Sequence, residues 1–93
     1  ESACSTLLRN IELFLSQDLV HGDLSAYNVL WYRGVPVVID FPQAVDPRTH
    51  PDAQRLLMRD VANVGRFFQR HGVDIDAARV GRDLWRRWRS GSL

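Results

Sequence analysis

Between Leu19 and Asp40 short apolar runs flank one long polar loop, and the second half of that stretch decides where its ends must meet. Val29-Leu-Trp-Tyr32 and Val35-Pro-Val-Val-Ile39 read as two strands. The Arg33-Gly34 pair between them suits a tight hairpin, with glycine supplying any positive φ. A hairpin goes out and returns, so Asp40 comes back beside Asn28. Pro36 has no N–H for a ladder, which puts the second strand at an edge or makes its start irregular.

The loop entering this hairpin, His21-Gly-Asp-Leu-Ser-Ala-Tyr-Asn28, carries Asp23 and Asn28 five positions apart. A hard cation such as Mg²⁺ takes oxygen ligands and is held by one or two side chains plus waters and substrate phosphates. Asn28 and Asp40 meet that demand. Asp23 is then free to accept or orient the proton of a hydroxyl nucleophile. Together the three residues describe half of a phosphoryl-transfer site.

The remainder reads as helix. Ser5 or Thr6 caps a first helix running to about Gln17, with Leu7, Leu8, Ile11, Phe14 and Leu15 at helical spacing. Residues 41–50 form a loop punctuated by Pro42 and Pro47. Pro51 sits at a first helical position, and a helix over about 51–71 carries the stripe Leu57, Val61, Val64, Phe68 before Gly72 stops it. Asp74 or Asp76 caps a last helix over about 76–90, with Val80, Leu84 and Trp88 inward and Gly81 weakening it by about 1 kcal/mol relative to alanine. The fold class is α+β: mostly helical, with one small hairpin.

Ninety-three residues at 45% hydrophobic composition support one modest core. The net charge of +1 gives no general pull toward nucleic acid or membrane. No run approaches the ~18–20 apolar residues of a membrane span. One cysteine, Cys4, allows neither an intrachain disulfide nor a cysteine metal cluster, and a reduced, cytoplasmic setting fits. All twelve basic residues are arginine. The strand lysine that kinases place on nucleotide phosphates is therefore not in this chain, and neither is a Gly-rich loop. The expectation is a piece of a larger protein, inactive by itself.

The pattern His-x-Asp, Asn five later, then Ile-Asp after a hairpin resembles the protein-kinase-like superfamily. Within it the chain resembles the RIO-type atypical serine kinases. The residues are Leu19-Val-His-Gly-Asp-Leu-Ser-x-Tyr-Asn28, Ile39-Asp-Phe-Pro-Gln43, His50-Pro51, and the helix motif Arg59-Asp60-Val-x-Asn63-Val-x-x-Phe-Phe68. The resemblance implies a kinase-like C-lobe over residues 1–93, with its catalytic loop at 19–30, its metal-binding strand and loop at 37–43, and no N-lobe. It implies Asp23 as the catalytic residue. Ser25, Asn28 and Asp40 become cofactor-binding residues, of which Asn28 and Asp40 hold Mg²⁺ or Mn²⁺. ATP is the implied co-substrate. The acceptor is a protein serine or threonine, or ATP is hydrolysed as a switch on a small ribosomal subunit precursor, with phosphate passing through Asp40. Phe41-Pro42-Gln43 replaces the usual Phe-Gly, and no Ala-Pro-Glu follows, so a peptide-docking segment of the ordinary kind is missing.

The neighbouring residues carry plainer expectations. His21 packs and hydrogen-bonds under the loop, or serves as an acid or base, and Tyr27 buttresses the loop or contacts substrate. Asp60 interrupts an apolar helix face, where an unpaired carboxylate is costly, so it is expected to accept backbone N–H groups of the catalytic loop, the alternative being that it faces solvent. Ser25 is a loop hydrogen-bonder or helps to place a phosphate. Asp46 is a turn residue and His50 marks a helix entry. The tail with Trp85, Arg86, Arg87, Trp88 and Arg89 is an amphipathic helix with a solvated basic face, or it stacks on RNA. Two other functions fit the same loop: a small-molecule phosphotransferase of the aminoglycoside or choline type, and a non-catalytic fragment that binds RNA or protein.

Overall fold

A computed structural model describes residues 3–25, 28–40 and 43–93. Helix α1 (Ala3–Ser16) leads into the polar loop, followed by the hairpin strands β1 (Val29–Tyr32) and β2 (Val35–Val38), then α2 (Ala53–Gln69) and α3 (Ala77–Arg89). The expected α+β architecture, helical with a small two-stranded antiparallel sheet, is what forms.

Helical periodicity selects the core. Cys4, Leu7, Ile11 and Leu15 line the inner face of α1 and Leu57, Val61, Val64 and Phe68 that of α2, with Leu84 joining from α3. Leu8, Phe14, Val80 and Trp88 are only half-buried. Fully burying each such aliphatic side chain contributes about 1.5–3 kcal/mol.

The start of α1 corrects the sequence reading. Ser5 and Thr6 lie inside the helix rather than capping it, because Cys4 belongs to the same buried stripe and draws the helix one turn further back. Helix α2 begins at Ala53, leaving Pro51 and Asp52 in the preceding turn, where the Asp52 amide donates to His50 Nδ1 at 3.1 Å. Asp76, not Asp74, caps α3 by accepting the Arg79 amide at 3.1 Å.

Each helix ends in the same way. A residue at positive φ (Asp18, Gly72 and Gly91) turns the chain so that the next amide reaches back five residues: Leu19 to the Phe14 carbonyl, Val73 to Phe68 and Ser92 to Arg87. Asp18 replaces the usual glycine, at some backbone cost. Its carboxylate accepts the Trp88 indole N–H at 3.0 Å, tying the end of α1 to α3.

In the hairpin, Arg33 and Gly34 both have positive φ (50° and 79°), the pattern of a type I′ turn. The register pairs Tyr32 with Val35, Trp31 with Pro36 and Val29 with Val38. With a two-residue turn, Trp31 and Pro36 form a non-hydrogen-bonded pair, so the missing N–H of Pro36 costs the ladder nothing. Strand β2 stops at Val38, one residue before the expected end, but Ile39 N still donates to the Asn28 carbonyl at 2.8 Å.

Gly81 has a packing role that periodicity did not show. It is buried where α3 crosses α2, and a Cβ there would lie 2.5 Å from Met58 Sδ. Close approach of the two helices offsets the propensity cost. No helix of the described residues is long and apolar enough to cross a membrane.

Candidate functional site

The polar loop between α1 and β1 is fastened from two sides. Val20 and Val45 exchange backbone bonds of 2.9 Å each, which clips the loop entrance to the segment following Asp40. Gly22 then takes φ +84°, and a Cβ on it would sit 2.9 Å from the Gln43 carbonyl oxygen. Only glycine satisfies both conditions. Replacing Gly22 by alanine is expected to lower stability by about 1–3 kcal/mol, read as the shift of the denaturant midpoint at unchanged slope. An unchanged midpoint would refute the close approach.

His21 lies beneath the loop with 1% of its surface exposed. Its Nδ1 accepts the Asp23 amide at 3.2 Å, so the proton resides on Nε2, which faces the Ile39 carbonyl at 3.0 Å. One imidazole thus joins the loop carrying Asp23 to the strand end carrying Asp40.

From the opposite side α2 presents Arg59, Asp60 and Asn63. The Asp60 carboxylate accepts the Gly22 amide at 2.9 Å and the Leu24 amide at 3.0 Å. Asn63 Nδ2 donates to the Leu24 carbonyl at 2.8 Å, and the Arg59 guanidinium donates to the Gly22 carbonyl. Both residues on either side of Asp23 therefore have N–H and C=O paired to the helix. Asp60 is 1% exposed, and burial raises its carboxyl above the ordinary value against the pull of the two amide bonds and the Arg59 charge.

The oxygen-bearing side chains proposed from sequence stand around this frame. Asp23 is exposed between its two anchored neighbours, while Asn28 is buried at 6% exposure and its Oδ1 accepts the Ser25 hydroxyl at 2.9 Å. Asp40 is exposed two residues beyond β2 with φ +65°, a region few non-glycine residues occupy, aspartate and asparagine most often. The Ile39–Asn28 backbone bond brings the Asp40 segment alongside Asn28. Tyr27, together with Phe41 and Pro42 of the Ile-Asp-Phe-Pro-Gln motif, lies outside the described residues.

The donor set suits a hard divalent cation. Asn28 and Asp40 are the residues that could hold one, since both carry oxygen donors and an amide oxygen engaged by one hydroxyl keeps a second lone pair. Among the described residues no three His, Cys, Asp or Glu converge, so no all-protein cage of those ligands forms there. An ion completed by waters and phosphate oxygens is the kind these residues fit.

Arg59 and Asn63 belong to the helix motif noted in the sequence, yet only Asp60 drew a role there. The missed signal is spacing: 59, 60 and 63 share one helix face beside a buried carboxylate. Elsewhere, Asp46 is a turn residue whose carboxyl is lowered by hydrogen bonds from the Arg48 side chain and amide. Trp85 and Trp88 pack half-buried against the core with centroids 5.0 Å apart, and Arg87 reaches Glu12 and Asp83 at 3.4 Å. The rings lean on the core, as an amphipathic helix requires.

The profile of the RIO domain matches residues 1–80. The chain is 45% identical over 73 residues to human serine/threonine-protein kinase RIO3, covering 78% of this chain and 14% of that protein. It is 53% identical over 58 residues to the RIO-type serine/threonine-protein kinase Rio1 of Haloferax volcanii, covering 62% of this chain and 20% of the relative. The crystal structure of a Rio2 kinase–ADP/Mg²⁺–phosphoaspartate complex from Chaetomium thermophilum superposes with a TM-score of 0.68 at 27% identity, over 83% of this chain and 28% of that one. The chain thus spans only 14% to 28% of the length of these three proteins. With the profile, the identities and the superposition in agreement, this chain belongs to the RIO domain family, whose relatives here are kinases.

Proposed function

We propose that these residues form the part of a RIO-type serine/threonine kinase that holds Mg²⁺ and orients the phosphoryl acceptor. The observation that carries this reading is the linkage through His21. One buried ring fixes the Asp23 amide and the Ile39 carbonyl, and Ile39 in turn bonds to Asn28, so three oxygen-bearing residues share one rigid frame.

Asn28 and Asp40 would hold the cation, which when bound neutralises charge on the phosphate oxygens of ATP. Asp23, exposed and held at both neighbouring residues, orients the attacking hydroxyl and receives its proton. Ser25 keeps the Asn28 amide turned so that its second lone pair is presented. The grip on the nucleotide comes from outside these residues, which contain no lysine.

The Chaetomium thermophilum Rio2 kinase carries a phosphoaspartate beside ADP and Mg²⁺. By analogy the Asp40 carboxylate is an acceptor in this protein. A carboxylate oxygen bonds to the γ-phosphorus as the bridging oxygen departs with ADP. Water then attacks the phosphorus of the acyl phosphate, loses its proton to Asp23, and returns Asp40 to the carboxylate with release of phosphate. The protein relatives reported above are named serine/threonine-protein kinases, and none is a small-molecule phosphotransferase.

Asp23→Asn in the intact protein tests the reading. Phosphoryl transfer from radiolabelled ATP, to protein or to water, is expected to fall roughly 10²–10⁴-fold while the affinity for ATP holds. Full turnover by the variant would reject Asp23 as the orienting group.

A further inference from the structure

We propose that Arg59, seconded by Asn63, is a positioning residue for Asp23, acting through the peptide groups on either side of it. This rests on the reading of Asp23 as the orienting group. An exposed arginine on a helix is ordinarily a solvated charge that contributes little. Arg59 differs in what its guanidinium meets: the carbonyl of Gly22, a buried residue.

The direction of the Asp23 side chain depends on two peptide planes, because φ and ψ are the soft coordinates of the backbone. The Gly22–Asp23 peptide is held at its carbonyl by Arg59 and at its N–H by His21. The Asp23–Leu24 peptide is held at its N–H by Asp60. With both planes pinned, the Cα–Cβ bond of Asp23 has little freedom. Without Arg59 the first plane keeps only its 3.2 Å bond to the imidazole and can rock about it.

Asn63 governs the next plane, Leu24–Ser25, through the Leu24 carbonyl. That plane leads directly to Ser25, whose hydroxyl meets Asn28. The Asn63 amide is itself oriented, since its Oδ1 accepts from Arg66 one turn further along α2. Arg59 therefore acts on the acceptor side of the site and Asn63 on its cation side. Asp60, between them, holds the loop against the core.

The test uses the intact protein and the variants Arg59→Ala, Arg59→Lys and Asn63→Ala, alone and combined with Asp23→Asn. Arg59→Ala is expected to lower kcat roughly 10–100-fold, with KM for ATP and the melting temperature near those of the parent. Arg59→Lys, which keeps a donor for the Gly22 carbonyl, recovers most of the loss. In the Asp23→Asn background Arg59→Ala costs little more, because a residue that acts through Asp23 has nothing left to position. Asn63→Ala is expected to lower kcat less and to raise the Mg²⁺ concentration needed for half-maximal rate. The proposal is overturned if kcat of Arg59→Ala is unchanged, if its loss tracks lost thermal stability, if lysine rescues nothing, or if the full loss recurs without Asp23. Full turnover by Asp23→Asn alone would instead overturn the function on which the proposal rests.

Discussion

Asp40→Ala in the intact protein is expected to reduce phosphoryl transfer by at least about 10³-fold, the loss of some 4 kcal/mol of transition-state stabilisation. The size of the effect follows from the assigned role. In the proposed site Asp40 supplies the only full negative charge of the two ligands, and in the proposed cycle its carboxylate oxygen also accepts phosphate. Its backbone complicates the substitution, because alanine tolerates φ +65° less well than aspartate does. Asp40→Asn separates the two contributions. Asparagine accepts the left-handed conformation and keeps an oxygen, but it lacks the charge and cannot form an acyl phosphate. Both variants are expected to lose transfer, with Asp40→Asn melting like the parent. Mass spectrometry of acid-quenched protein should find phosphate on the peptide containing Asp40 only in the parent. Transfer by Asp40→Asn at the parental rate would sink the assignment.

Asp60→Ala is expected to be the most damaging single change to stability, costing about 2–5 kcal/mol. Two buried amides, those of Gly22 and Leu24, would lose their acceptor together at a place where Asp60 itself is 1% exposed. Asp60→Asn keeps one acceptor oxygen but turns an NH₂ group toward the other amide, and is expected to cost about 1–3 kcal/mol.

The same site predicts a pH dependence with a definite sign. Burial raises the Asp60 carboxyl above its ordinary value, so between that value and the raised one the folded protein binds more protons than the unfolded chain. This contribution to stability is fully present below the ordinary aspartate value and is lost as pH rises through the raised one. Denaturant unfolding of parent and Asp60→Asn, from about pH 3 to neutrality, should show the parent's advantage largest at the acid end and levelling off once Asp60 ionises. An advantage that grows with pH would mean that the amide bonds outweigh burial.

Much of the architecture could be read from side-chain order alone. The stripe Leu57, Val61, Val64, Phe68 encodes an amphipathic helix because four apolar residues at that spacing can face only one way. Arg33-Gly34 between two apolar runs encodes a hairpin because few two-residue turns match strand twist. Helix ends were legible where one residue dictates them, as at Gly72, and misplaced where the core decided, as at Cys4 and Ala53. Even the need for a partner at Asp60 followed from the cost of an unpaired buried carboxylate.

What the order of residues determined by itself was the inventory of chemistry: Asp23, Asn28 and Asp40 on a loop and a returning hairpin, with no lysine to accompany them. What only the tertiary structure decided was how that chemistry is held. In sequence Arg59 and Asn63 have a place in a motif but no partner, His21 has a supporting place without its two bonds, and Gly81 looks like a helix defect. Their roles depend on groups 18 to 39 residues away for the hydrogen bonds of His21, Arg59 and Asn63, and on a neighbouring helix for Gly81. Periodicity reports which face is apolar because burial acts on each side chain separately. A hydrogen bond between a helix and a distant peptide group is a property of two positions at once, and it exists only after the fold has brought them together.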